Sequence, residues 1–297
     1  MPIAGDQALI SIQSAGLSAD IDPFGAQLSA LRDARRRDLL WNGDPTVWAG
    51  RAPILFPIVG MLNKGQYRLN GRTYALPKHG FARHSLFEVA ERSASSVTFH
   101  LRWSEATLAV YPFRFELDVR FSLEETTLAV SATVKNLDPD GEMPFSFGFH
   151  PALCWPLPYG QPRTDHVITF DQNEPAPMRR IDENGLVKPD AYPSPVVGRA
   201  LRLRDELFIE DALIFDQIRS RRLRYGGKTG PFLDIGFPDT ERLGVWTKPR
   251  ADYICIEPWH GWADLEGFEG DLWAKSGILT VAPHAARRMG MTIAVRA

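Results

Sequence analysis

The sequence predicts an all-β protein. Three observations carry that reading: apolar and polar residues alternate with period two in many short segments, turn residues separate those segments at roughly 8 to 12 residue intervals, and helical signals are few. The 23 prolines and 24 glycines are spread along the 297 residues and are not gathered into one linker. A large sandwich or barrel is expected, with 1–297 as a single domain.

The first segment, "ALISIQSAGLSADIDPFGAQLSALRD" (8–33), reads as two or three strands with turns at Ala15-Gly16 and Pro23-Phe24-Gly25. In "DPTVWAG" (44–50), Asp44 as a cap and Pro45 at the first position predict one helical turn. "GQYRLNGRTYALPKHG" (65–80) holds Asn70-Gly71 between two alternating runs, the strongest short-range hairpin signal. "SSVTFHLRWS", "FRFELDVRFSLEETTLAVSATVKNLD" and "DHVITFD" alternate and are rich in Val, Thr and Phe, as strands require. The Pro-rich stretch 172–198 resembles a linker, but strand patterns resume after it. It is therefore read as a long excursion inside one all-β domain.

Charge excludes some partners. With 34 basic and 36 acidic residues the net charge is -2, so no electrostatic grip on nucleic acid or an acidic membrane surface is expected. A small neutral or modestly charged ligand fits better. Cys154 and Cys255 lie in the apolar runs "PALCWP" and "DYICIEP" and read as reduced, buried thiols. The first residues show no signal-peptide pattern, and no apolar run approaches the roughly 20 residues that span a bilayer. A cytoplasmic, soluble protein is the expectation.

Four places set a chemically able group in an apolar or turn-rich context. Arg51 precedes the apolar run of "WAGRAPILFPIVG", where a buried guanidinium needs a carboxylate or a ligand. His79, in "PKHGFARHS", is followed by Gly80, which permits a sharp turn or close backbone approach; Lys78, Arg83 and His84 are near it. His150, in "SFGFHPALCWP", follows a strand-like run, and Pro151 disfavours helix there, so the imidazole belongs at a strand end. Glu257, in "DYICIEPWHGWADL", ends an apolar strand pattern just before Trp259 and Trp262, and beside aromatic rings partial desolvation raises a carboxyl pKa and makes a better base. Each has a plain structural alternative: an ion pair for Arg51, a surface or locally bonded histidine at 79, a core histidine at 150, a satisfied carboxylate at 257. Together they supply an acid, a base, a cation and an aromatic wall.

Those segments, with "PFGAQLSALRD", "DALIFDQI" and "LWAKSGILTVAPH" in the same order, resemble the aldose 1-epimerase (galactose mutarotase-like) family. The likeness is closest to its LacX-type and hexose-6-phosphate 1-epimerase-like branch. The resemblance implies a β-supersandwich of antiparallel sheets with a sugar cleft. It implies His150 as general acid, Glu257 as general base and His79 as a second active-site histidine. It implies substrate contacts from Arg51, Arg83 and Asp211, with Asp205, Asp216 and Asp234 as alternatives to Asp211; Trp259, read from the residues, offers an aromatic platform for a sugar's C–H face. "APHAAR" departs from the family's usual "PGE" turn near the end.

The implied reaction interconverts the α and β anomers of an aldose or hexose 6-phosphate. A base takes the C1 hydroxyl proton while an acid protonates the ring oxygen. His150 and Glu257 are expected to face each other across a gap about one pyranose wide. No electrons move, so no metal or other cofactor is called for. Partners are then a sugar or sugar phosphate, with the chain a monomer or homodimer. Two other readings stay open: a carbohydrate-binding protein without turnover, and a metal site built from His79, His150 and Glu257.

Overall fold

A computed structural model describes residues 8–297. Two antiparallel sheets dominate it. The larger has nine strands in the order Ala200–Arg202, Val167–Phe170, Arg222–Gly226, Phe232–Gly236, Ala286–Arg296, Thr127–Asn136, Phe115–Glu124, Ser96–Arg102, Glu88–Arg92. Its strands form for the reason the sequence gives. Along Phe115–Glu124, the residues Phe115, Leu117, Val119, Phe121 and Leu123 point inward and are buried, while their neighbours are half-buried. Burying such a side chain contributes about 1.5–3 kcal/mol, so a slip of one residue in register would forfeit the whole inward set.

The smaller sheet holds the chemistry. Its order is Leu213–Phe215, Arg242–Trp246, Tyr253–His260, Phe147–Phe149, Ile54–Leu55, and Ala152–Cys154 also pairs with Tyr253–His260. Every residue of the central strand Tyr253–His260 is buried, because both faces are covered. Ile254 and Ile256 join the core cluster that contains Phe121 and Val130 of the nine-stranded sheet. The alternate residues Cys255, Glu257 and Trp259 therefore turn to the opposite face.

The expected elements appear with few changes. The first segment forms three strands, Ile10–Gln13, Leu17–Asp22 and Gln27–Asp33. Asn70 and Gly71 both take positive φ, 50° and 79°, as a type I′ hairpin needs, between Gln66–Leu69 and Arg72–Ala75. In 44–50 the Asp44 carbonyl accepts from the N–H groups of Val47 and Trp48, giving one turn and no helix. One element is unexpected: a single-turn α-helix, Glu105–Leu108, started by a reciprocal Ser104–Thr107 cap. The 172–198 excursion folds back on itself through the bridges Met178–Tyr192 and Ile181–Val187, and the Val187 N–H donates to the Asp264 carbonyl over 2.8 Å. No described helix is long and apolar enough to cross a membrane.

Candidate active site

The outward face of Tyr253–His260 forms the floor of a cavity of about 230 Å³. Its lining includes Lys78, His79, Arg83, His150, Asp211, Trp246, Glu257 and Trp259. That volume is below the roughly 300–1,000 Å³ of sites for drug-sized ligands, which favours a smaller molecule.

Glu257 stands in mid-strand, opposite Gly244 on Arg242–Trp246. His150 directly follows Phe147–Phe149, the strand on the other side. The sheet thus brings together two residues 107 positions apart (257 minus 150). His150 Nε2 lies 3.2 Å from Glu257 Oε2. The two therefore do not face each other across a pyranose-wide gap; they are in contact. The contact is not a well-formed hydrogen bond, since Glu257 Oε2 is buried without a partner; His150 Nδ1, on the other edge of the ring, is also unpartnered. Buried polar atoms are normally paired, and the orphaned Glu257 Oε2 leaves acceptor capacity free beside His150.

Both groups are pushed toward their uncharged forms. Burial holds the Glu257 carboxyl well above the usual carboxylate range, against the opposing Lys78 charge and with the Asp211 charge adding to it. Burial lowers His150 to about 3, and the nearby Arg83 and Lys78 charges act in the same direction. Between the lowered His150 value and the raised Glu257 value the pair therefore holds one proton, shared between a carboxyl and a neutral imidazole.

His79 sits in a left-handed backbone conformation, φ 68°, and Gly80 follows at φ 72°. The turn demands glycine at 80, where a Cβ would fall 2.2 Å from the Phe56 carbonyl oxygen. Gly60 N–H donates to His79 Nδ1 over 3.0 Å. Burial drives the His79 pKa well down. A neutral ring whose Nδ1 is already accepting must carry its proton on Nε2.

Aromatic rings form the walls. Trp48 stacks on His150 with centroids 5.2 Å apart and planes 26° apart, and Trp246 meets the same ring edge-on at 6.0 Å. The sequence does not single out either one; each needed the fold to be placed. Trp259 fits between neighbouring strands because they carry glycine beside it. A Cβ at Gly148 or Gly244 would come within 2.7 or 2.6 Å of the indole. The Trp259 Nε1 is buried without a partner.

Of the four aspartates considered, only Asp211 lines the cavity. Asp205, Asp216 and Asp234 pair with Arg163, Arg179 and Arg222. Asp211 also takes a left-handed conformation, φ 63°. Two non-glycine residues held so at one cavity suggest a functional constraint. The buried Arg180, from the 172–198 excursion, donates to the carbonyls of Leu207 and Asp211, each over 2.9 Å, and fixes this turn. Ile181 and Gly185 from the same excursion reach the cavity wall.

Arg83 and Lys78 line the cavity, and among the described residues neither has a carboxylate within ion-pair distance. Arg51 is a correction to the expected set. Its Nη1 donates to the Ser29 carbonyl over 3.0 Å, its side chain lies against Gly43, and it does not line the cavity. The reason is local: Arg51 precedes Ile54–Leu55, and its side chain turns back over the 43–50 turn instead of along the sheet. The expected metal grouping is also different, because His79 Nδ1 is occupied and the three adjacent donors are His150, Cys255 and Glu257.

The profile of the aldose 1-epimerase family matches residues 8–278 of this sequence. The chain belongs to the aldose 1-epimerase family. It is 32% identical over 261 residues to Protein LacX, chromosomal, of Lactococcus lactis subsp. lactis, covering 85% of this chain and 87% of that one. The structure superposes on a galactose mutarotase related enzyme from Lactobacillus acidophilus with a TM-score of 0.89 at 29% identity, covering 98% of each chain. A galactose mutarotase-like protein from Lactobacillus casei gives 0.89 at 29% identity, with 97% and 100% covered. This aldose 1-epimerase family member thus has the expected galactose mutarotase-like fold, and the contact pair at 150 and 257 lies in the cavity on its smaller sheet.

Proposed function

We propose that the chain interconverts the α and β anomers of an aldose, with Glu257 and His150 moving the protons. The observation that carries this is the 3.2 Å pair, with its unpartnered Glu257 oxygen, in a small aromatic-walled cavity. Ring opening removes a proton from the C1 hydroxyl and adds one to the ring oxygen. Both oxygens are bonded to C1, so the two proton-transfer groups must also be neighbours. A contact pair meets that need better than one spread across a pyranose. In its ion-pair form, Glu257 accepts the hydroxyl proton and His150 donates to the ring oxygen. Rotation about C1–C2 and closure then reset both groups. Trp48, Trp246 and Trp259 offer apolar faces to the sugar's C–H surface, and His79 Nε2–H and Asp211 suit its hydroxyls.

The uncompensated Arg83 and Lys78 favour a substrate with an anionic substituent, such as a hexose 6-phosphate, over a free hexose. The test is NMR or polarimetric anomerisation of freshly dissolved α-glucose, α-galactose and glucose 6-phosphate. Acceleration is expected with at least one sugar. A hydrogen bond to a charged group contributes about 1.5–3 kcal/mol, so Arg83→Ala should lower kcat/KM for the phosphate roughly 10- to 100-fold. Binding without acceleration would leave a carbohydrate-binding protein. Equal kcat/KM with and without phosphate would remove the anion preference.

A further inference from the structure

We infer that Cys255, Glu257 and His150 form a three-ligand site for a borderline or soft divalent cation, of the Zn²⁺ or Cd²⁺ class, at the floor of the cavity. One ligand atom from each residue lies within 4.8 Å of the other two, and all three residues are buried. The arrangement follows from the strand. Cys255 and Glu257 are two positions apart on Tyr253–His260 and so share a face, and His150 arrives from the end of the adjacent strand.

Ligand type and free capacity both fit. Thiolate, imidazole and carboxylate are the donors zinc takes, and three protein ligands leave one tetrahedral position for water or substrate. Bond lengths of about 2.0–2.3 Å place tetrahedral ligand atoms roughly 3.3–3.8 Å apart. The His150–Glu257 separation of 3.2 Å is already close to that range. Cys255 offers its thiol within 4.8 Å of both. Independently, Glu257 Oε2 is buried and lacks a partner. The other thiol differs: Cys154 Sγ donates to the carbonyls of Asp38 and Leu40. The cavity supplies the route, since His150 and Glu257 line it.

Binding expels the thiol proton, and any proton on the Glu257 carboxyl, to the buffer; no electrons are transferred. A cation there occupies both groups assigned to proton transfer and excludes the sugar from them. The inhibitory consequence rests on the proposed anomerisation, but the binding does not.

The experiment titrates chelator-treated protein with Cd²⁺ and follows thiolate-to-metal charge-transfer absorption in the ultraviolet. One equivalent should give the band in the wild type and in Cys154→Ala, and Cys255→Ala should abolish it. His150→Gln, a second variant in case Cys255→Ala folds poorly, should weaken binding at least tenfold. No band in the wild type, a band that survives in Cys255→Ala, or unchanged affinity in His150→Gln would overturn the site. In parallel, Zn²⁺ should inhibit anomerisation, with the half-inhibiting concentration raised at least tenfold in folded Cys255→Ala. A Cd²⁺ band in a protein that accelerates no sugar would support the cation site while ending the proposed reaction.

Discussion

The backbone N–H of Gly60 donates to His79 Nδ1 over 3.0 Å, and the N–H of His79 donates to the Gly60 carbonyl over 2.9 Å. This reciprocal bond fixes the His79 tautomer and makes the ring a neutral donor through Nε2. In the proposed reaction His79 is expected to hold the substrate and to exchange no proton. His79→Ala should lower kcat/KM about tenfold, in line with one lost hydrogen bond. His79→Gln, which keeps an N–H donor, should lose less. The pH profile of His79→Gln should match that of the wild type; a displaced profile would assign His79 a proton-transfer role.

Glu257 and His150 should behave as one unit. Proton-transfer groups typically contribute about 10²- to 10⁴-fold, so Glu257→Gln and His150→Asn should each lower kcat by that much with the fold retained by circular dichroism. Because either loss disables the pair, the double variant should be little worse than the poorer single one. Multiplying effects, or a loss under tenfold in either single variant, would separate the two residues.

The pH dependence follows from the directions of the two shifts. Above about 3, His150 is neutral, because burial lowers it to that value. Glu257 keeps its proton well above the ordinary carboxylate range. Between these limits the pair holds one proton, the state that turnover needs. Activity measured in chelator should stay level between the lowered His150 value and the raised Glu257 value. It should fall on the acid side as a second proton binds, and on the alkaline side as the last one leaves. A single loss of activity centred at the ordinary histidine pKa would contradict the shared proton.

Arg180 supports Asp211 without reaching the cavity. Its guanidinium is buried and donates to the carbonyls of Leu207, Glu210, Asp211 and Ala212. Arg180→Met should cost about 1–3 kcal/mol in urea unfolding, as buried carbonyls lose their donor. Through the loosened turn it should raise KM roughly five- to tenfold with kcat within about twofold. Loss confined to kcat would point away from a role in holding Asp211.

Much of this was readable before any coordinates. The turn at Asn70-Gly71, the alternation of 115–124 and the His150 strand end are local properties, set by backbone sterics and side-chain period within a few residues. Arg51 was misleading for a local reason too. A cation beside an apolar run advertises a buried partner, but the sequence does not say whether that partner is a ligand, a carboxylate or, as found, the Ser29 carbonyl.

By itself the sequence determined the strand pattern, the family, and the chemically able residues at 79, 150 and 257. Only the tertiary structure decided that 150 and 257 touch, that Asp211 and not its neighbours reaches the cavity, and that Trp48, Trp246 and Cys255 stand beside them. The physical reason is that strand pairing and sheet packing join residues far apart in the chain. Period two tells which side of a strand a residue faces. It does not tell which strand lies next to it.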